Sequence, residues 1–205
     1  MPSADPSERK AIHVGNVIQN AIIFNFRKHH GNMMNANSLL QSVEQLFSLL
    51  HTRDIEYLLV DDIAMLQYVQ RRNTEDIDLI LSTSSLQTLP EITITSQDNN
   101  FARGRFENLQ IDFLLTRNPL FAKVQHHYAT IQSFQTSDIP CATDEGLVLL
   151  KLYALPSLYR QGNFARVGLY ENDIATLMHD YQPNMEALFT ELTLHLSDSD
   201  IASLV

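Results

Sequence analysis

Apolar residues recur along the chain with two periods, and each change of period marks an element. Over 38–50, Leu39, Leu40, Val43, Leu46, Phe47 and Leu50 recur at three- and four-residue steps, the spacing of a helix packed along one face. Asn37 or Ser38 stands where such a helix is capped. The run Tyr57, Leu58, Leu59, Val60 is short, apolar and bounded by charge, as a buried strand is. Asp61 and Asp62 follow where a helix begins, and Ile63, Leu66 and Val69 carry that helix towards residue 71.

Alternation with period two then takes over. In 76–82, Asp76, Asp78 and Ile80 alternate with Ile77, Leu79 and Leu81, so one face is apolar and the other carries two acids. The stretch 91–96 alternates again, and 101–107 returns as a hairpin arm after Asp98, Asn99 and Asn100. A further strand over 110–116 puts Ile111, Phe113 and Leu115 on one side and Asp112 and Leu114 on the other. Beyond Pro140, the stretches 143–159, 169–181 and 185–196 read as helices, with Thr143 and Asn184 as caps and Glu171 in a first turn. The predicted fold class is α/β (α+β): a small mixed β-sheet flanked by helices, with a helical C-terminal region. The expected division is an N-terminal extension over 1–36, an α/β core over 37–140 and a helical region over 141–205.

Composition narrows this picture. A chain of 205 residues with 44% hydrophobic content is long enough for one substantial core. With 14 Lys and Arg against 24 Asp and Glu, the formal charge is -10, so the average surface repels a polyphosphate and a nucleic-acid partner needs a local basic patch. The single cysteine, Cys141, forms no internal disulfide, and no Cys and His spacing suggests zinc. This fits a reducing cytoplasm. The first ten residues lack the basic start and apolar run of a secretory signal. The stretch 11–26 is apolar but broken by Asn16, Gln19, Asn20 and Asn25, which argues against a membrane span and permits a homodimer or partner contact. The pairs His29-His30 and His126-His127 lack metal-binding spacing and read as solvated. No hydrolase triad order and no Gly-rich phosphate loop is present.

The acids are the candidate chemistry. Asp76 and Asp78, two residues apart on a strand, point to one side, and Asp112 on a neighbouring strand completes a set of hard oxygen ligands suited to Mg²⁺ or Mn²⁺. Taken alone, an Asp-x-Asp pair more often ends a strand in solvent. Arg103 and Arg105, flanking Gly104, either hold phosphates or keep a sheet edge soluble.

The segment YLLVDDIAMLQYVQRRNTEDIDLIL from Tyr57 resembles the signature of the DNA polymerase β-type nucleotidyltransferase superfamily. It is most similar to the bacterial abortive-infection (AbiEii-like) nucleotidyltransferase toxins. In that branch a strand ends in two small residues, a helix follows, and an Asp-x-Asp strand is headed by an arginine and a small hydroxyl residue. Arg72, Thr74, Asp76 and Asp78 occupy those positions, and QIDFLLT supplies the third carboxylate at Asp112. TDEGLVLLKLYALPSLYRQ and YENDIATLM are similar to the family's helical segment, placing Lys151, Arg160 and Asp173. The resemblance covers roughly residues 38 to 180.

It implies Mg²⁺-dependent (or Mn²⁺-dependent) transfer of a nucleoside monophosphate from a nucleoside triphosphate to an acceptor hydroxyl on RNA, protein or a small molecule, and it leaves room for an antitoxin partner. Asp76, Asp78 and Asp112 would be catalytic and metal-binding. Asp61, Asp62, Arg72, Thr74, Lys151, Arg160 and Asp173 would face the nucleotide. One departure matters: Asp61 and Asp62 stand where the family has its two small residues, and their charge repels a triphosphate unless a cation compensates. Two further readings stay open: a catalytically inactive binding module of the same fold, and a metal-dependent phosphoesterase using the same carboxylates.

Overall fold

The computed structural model describes residues 33–65, 76–134 and 137–204. Helix α1 (Met33–Thr52) begins ahead of the expected start, so Asn37 and Ser38 lie inside it instead of capping it. Then come β1 (Tyr57–Val60), α2 (Asp61–Met65), β2 (Asp76–Leu81), α3 (Thr83–Gln87), β3 (Thr93–Gln97), β4 (Phe101–Phe106) and β5 (Leu109–Leu115). The second half contains α4 (Pro119–His127), β6 (Ala129–Phe134), β7 (Ser137–Ala142), α5 (Asp144–Arg160), α6 (Phe164–Tyr181), α7 (Met185–Leu192) and α8 (Asp198–Ala202). The helix expected to run on to residue 71, together with Arg72 and Thr74, lies outside the described residues beyond Met65. Among the described residues no helix is long and apolar enough to cross a membrane.

The described strands form one mixed sheet in the order β3-β4-β5-β2-β1-β7-β6. The β1/β7 and β2/β5 pairs are parallel and the other pairings antiparallel. Period-two alternation decides what each face meets. Tyr57, Leu59, Ile77, Leu79, Leu81, Ile111, Phe113 and Leu115 share one core with Val43, Leu46, Phe47 and Leu50 of α1. Leu58, Val60 and Ile80 turn the other way, into a second core with Leu147, Val148 and Leu152 of α5, Ile174 and Leu177 of α6, and Leu188 and Leu192 of α7. The sheet is thus covered on both faces. The three acids of β2 and β5 point to the second.

Several boundaries differ from the sequence reading. Pro140 reads as a break, yet it lies within β7, where it pairs with Ile131 on β6. Proline usually signals an edge or a turn, so the hairpin β6/β7 is invisible to patterning. Helix α6 starts at Phe164 under an Asn163 cap whose side chain accepts from the Arg166 N–H. Glu171 is therefore not in a first turn; its carboxylate accepts from the Tyr159 hydroxyl. The caps at Thr143, accepting from Gly146 N–H at 3.2 Å, and at Asn184, accepting from Ala187 N–H at 3.1 Å, are as expected.

Candidate functional site

Strand register builds the acidic site. Asp78 on β2 is the direct partner of Asp112 on the parallel β5, and Val60 on β1 flanks Asp78 from the other side. On the far side of Asp112, antiparallel β4 presents Arg103. Arg103, Asp112, Asp78 and Val60 therefore form one row across four strands, all on the face that meets α5 and α6. Asp76 sits one step along β2, opposite Gln110, which is itself opposite Arg105. Asp78 is 9% exposed.

Asp112 is engaged through both oxygens. Arg103 donates from Nε to Oδ1 at 2.6 Å and from Nη2 to Oδ2 at 2.5 Å, a fork matched to a carboxylate. The hydrogen bonds and charge of Asp112, with the charges of Asp76 and Asp78 behind them, push the Arg103 guanidinium further above its already high pKa. Of the two roles open to Arg103 in the sequence, phosphate holder or edge solubiliser, neither describes this state. Gly104 helps to place it: a Cβ there would come within 2.9 Å of Ile92 Cγ2, so only glycine lets Ile92 pack this tightly under β4.

A second cluster forms where β1 ends. Asp61 adopts φ 51, the left-handed region that L side chains seldom enter. Its Oδ1 accepts from Lys151 Nζ at 2.5 Å and its Oδ2 from the Tyr170 hydroxyl at 3.1 Å, with Arg166 Nη2 at 3.6 Å. Lys151, 2% exposed, also meets Asp173 at 3.0 Å and lies 4.2 Å from the Tyr170 ring centroid. Burial alone would raise the Asp61 carboxyl, but the charge and hydrogen bond of Lys151, aided by Arg166 and Tyr170, hold it below the ordinary carboxylate range. Burial and the nearby Asp61 charge push the Tyr170 hydroxyl up, so it stays a donor.

Between the two clusters opens a cleft of about 820 Å³, lined by Asp61, Asp78, Arg103, Asp112, Lys151, Arg160, Arg166 and Tyr170, among others. Asp76 does not line it. Phe101, Phe121 and Tyr153 form an aromatic side, with edge-to-face ring pairs at 5.3 and 5.9 Å. Of the residues expected at the nucleotide, Asp61, Lys151 and Arg160 reach the cleft, while Asp173 is fully buried beneath Lys151. Arg160 stands on the rim, paired with Asp200. Asp62 lies in α2, and Arg72 and Thr74 are outside the described residues. Patterning missed Arg166 and Tyr170. With Asp173 they sit at i, i+4 and i+7 of α6, a polar stripe from which a helix start at residue 169 leaves out Arg166.

Among the described residues, no group of three or more His, Cys, Asp or Glu side chains is arranged to hold a metal ion. In donor type and face, Asp76, Asp78 and Asp112 suit a small hard cation. In the geometry described, both Asp112 oxygens accept from Arg103.

No protein-family model and no curated protein matches the chain. Among solved structures, ANT(2")-Ia in complex with adenylyl-2"-tobramycin aligns with 82% of this chain and 97% of its own, at 8% identity and a TM-score of 0.51. A solution structure of the antibiotic-resistance factor ANT(2'')-Ia covers 78% of this chain and 99% of its own at 12% identity and a TM-score of 0.48. An antigenic nucleotidyltransferase-like protein from Paracoccidioides brasiliensis covers 80% and 88% at 16% identity and 0.49. At such identities the likeness is one of fold. The chain has a mixed α/β fold similar to that of ANT(2")-Ia.

Proposed function

We propose that the protein is a nucleotidyltransferase-like enzyme that moves a nucleoside monophosphate from a nucleoside triphosphate to an acceptor hydroxyl on RNA, protein or a small molecule, with Mg²⁺ or Mn²⁺. One observation carries this reading: Asp78 and Asp112 face each other on adjacent parallel strands in the wall of the cleft, with Asp76 two residues before Asp78 on the same face. A solved relative in fold, ANT(2")-Ia, is complexed with an adenylylated compound, which agrees with that chemistry. The abortive-infection branch, and any antitoxin, rests on the sequence pattern alone.

In the reaction, the acceptor hydroxyl oxygen bonds to the α-phosphorus while the bond to the pyrophosphate oxygen breaks and pyrophosphate leaves. Asp112 takes the hydroxyl proton, its charge favouring the alkoxide-like nucleophile. Asp76, Asp78 and Asp112 would hold the cation, which would supply charge stabilisation to the transferring phosphoryl group. Arg160 and Arg166 border the cleft on the helical side, where phosphate oxygens need donors.

Incubation with each radiolabelled nucleoside triphosphate, Mg²⁺ and total RNA or protein tests the proposal. Label should appear on an acceptor with wild type and disappear with Asp112→Asn, whose circular dichroism should match wild type and whose thermal midpoint should fall by no more than the few degrees that loss of the Arg103 pair costs. Release of phosphate without transfer would instead identify a phosphoesterase. Transfer undiminished in Asp112→Asn would remove that residue from the mechanism.

A second reading, a non-catalytic module that keeps the fold, is favoured by one feature: the Asp61 carboxylate already holds Lys151, Tyr170 and Arg166, donors that a triphosphate would also seek. If that contact blocks the cleft, Asp61→Gly with Asp62→Gly should bind nucleotide more tightly than wild type by about tenfold, the effect of removing one well-placed opposing charge. Equal binding in calorimetric titration would show that the two aspartates do not obstruct it.

A further inference from the structure

The acid that the proposed reaction needs most is the one most fully committed elsewhere. Both oxygens of Asp112 accept from one guanidinium, so a cation that takes the lone pairs turned towards Arg103 must displace at least one of its N–H donors. The arrangement is written into the backbone, because Arg103 and Asp112 are direct partners in the β4/β5 register. Arg105 has the same charge and the same sheet face but stands opposite Gln110. The Arg103 side chain is 47% exposed and that of Asp112 21%, so water screens the pair and it can exchange.

We propose that Arg103 is a built-in competitor for Asp112, holding the carboxylate away from Asp76 and Asp78 until a divalent cation displaces the guanidinium into the cleft. This rests on reading Asp76, Asp78 and Asp112 as a metal site. Arg103 thereby sets the cation concentration at which the site closes. It is a positioning residue, acting through Asp112.

The test is Mn²⁺ binding to the full-length protein, followed by the electron paramagnetic resonance signal of free Mn²⁺ and needing no turnover. Arg103→Gln should bind Mn²⁺ about fivefold more tightly than wild type, the scale of a partly exposed ion pair. Arg103→Lys keeps the charge but loses the fork, and it too should bind more tightly. Arg105→Gln should show a smaller gain, and Arg103→Gln should give no gain in an Asp112→Asn background. If Arg103→Lys matches wild type while Arg103→Gln and Arg105→Gln gain equally, only net charge matters and the competition is refuted. If no folded variant binds Mn²⁺, the metal site itself is refuted and the competition falls with it.

Discussion

Asp61 shows how much one residue's meaning depends on partners far along the chain. Read in sequence, it is negative charge beside a phosphate site. In the structure its charge is met by Lys151, ninety positions later, and by Tyr170 and Arg166. No local pattern announces such a contact. Its φ of 51 is one that a small residue such as glycine enters more readily than aspartate does. Because its folded pKa is lowered, Asp61 contributes stability that is present above its unfolded value of 3.8 and is lost as pH falls through the lower folded value. Urea denaturation between pH 5 and 2 should therefore show wild type losing more stability than Asp61→Asn; parallel profiles would mean that Asp61 has no such linkage. Lys151→Met should cost about 3–5 kcal/mol, since Asp61 and Asp173 would keep buried charge without their shared cation. The loss should shrink when Asp61→Asn is added.

At the level of elements, the sequence was most informative where one period ran unbroken. The stripe Val43, Leu46, Phe47, Leu50 and the alternation in β2 and β5 placed α1 and the acid-bearing faces. The Arg103–Asp112 pair was legible too, given the turn. Phe106 pairs with Leu109 across Glu107 and Asn108, and counting back along both arms brings residue 103 opposite 112. The sequence reading placed both arms but not the register. What patterning could not supply was β6/β7, whose Pro140 and exposed Ile131 weaken alternation, and the first turn of α6, where Arg166 sits. Gly104 tests the β3/β4 edge. Gly104→Val should destabilise by about 1–3 kcal/mol, because its side chain would push into Ile92 and Ile94. A thermal midpoint unchanged from wild type would show that β3 shifts freely.

For the whole molecule, the cleft lies between the acid-bearing sheet face and α5 and α6, and among the described residues each Arg and Lys that lines it has a carboxylate partner: Arg103 with Asp112, Lys151 with Asp61 and Asp173, Arg160 with Asp200, Arg166 with Asp61. The net charge of -10 is thus answered locally by cations that its own acids already hold. On the proposed reading, a triphosphate competes with these carboxylates for the same donors, and nucleotide affinity should depend on the divalent cation for that reason as well as through the phosphates. The most direct measurement is a crystal structure with Mn²⁺ and a non-hydrolysable nucleoside triphosphate. The account predicts anomalous density for Mn²⁺ bonded to Asp76, Asp78 and Asp112, with Arg103 turned from Asp112 and the triphosphate in the cleft. Mn²⁺ bound elsewhere, or a nucleotide seated with the Arg103–Asp112 fork intact, would contradict it.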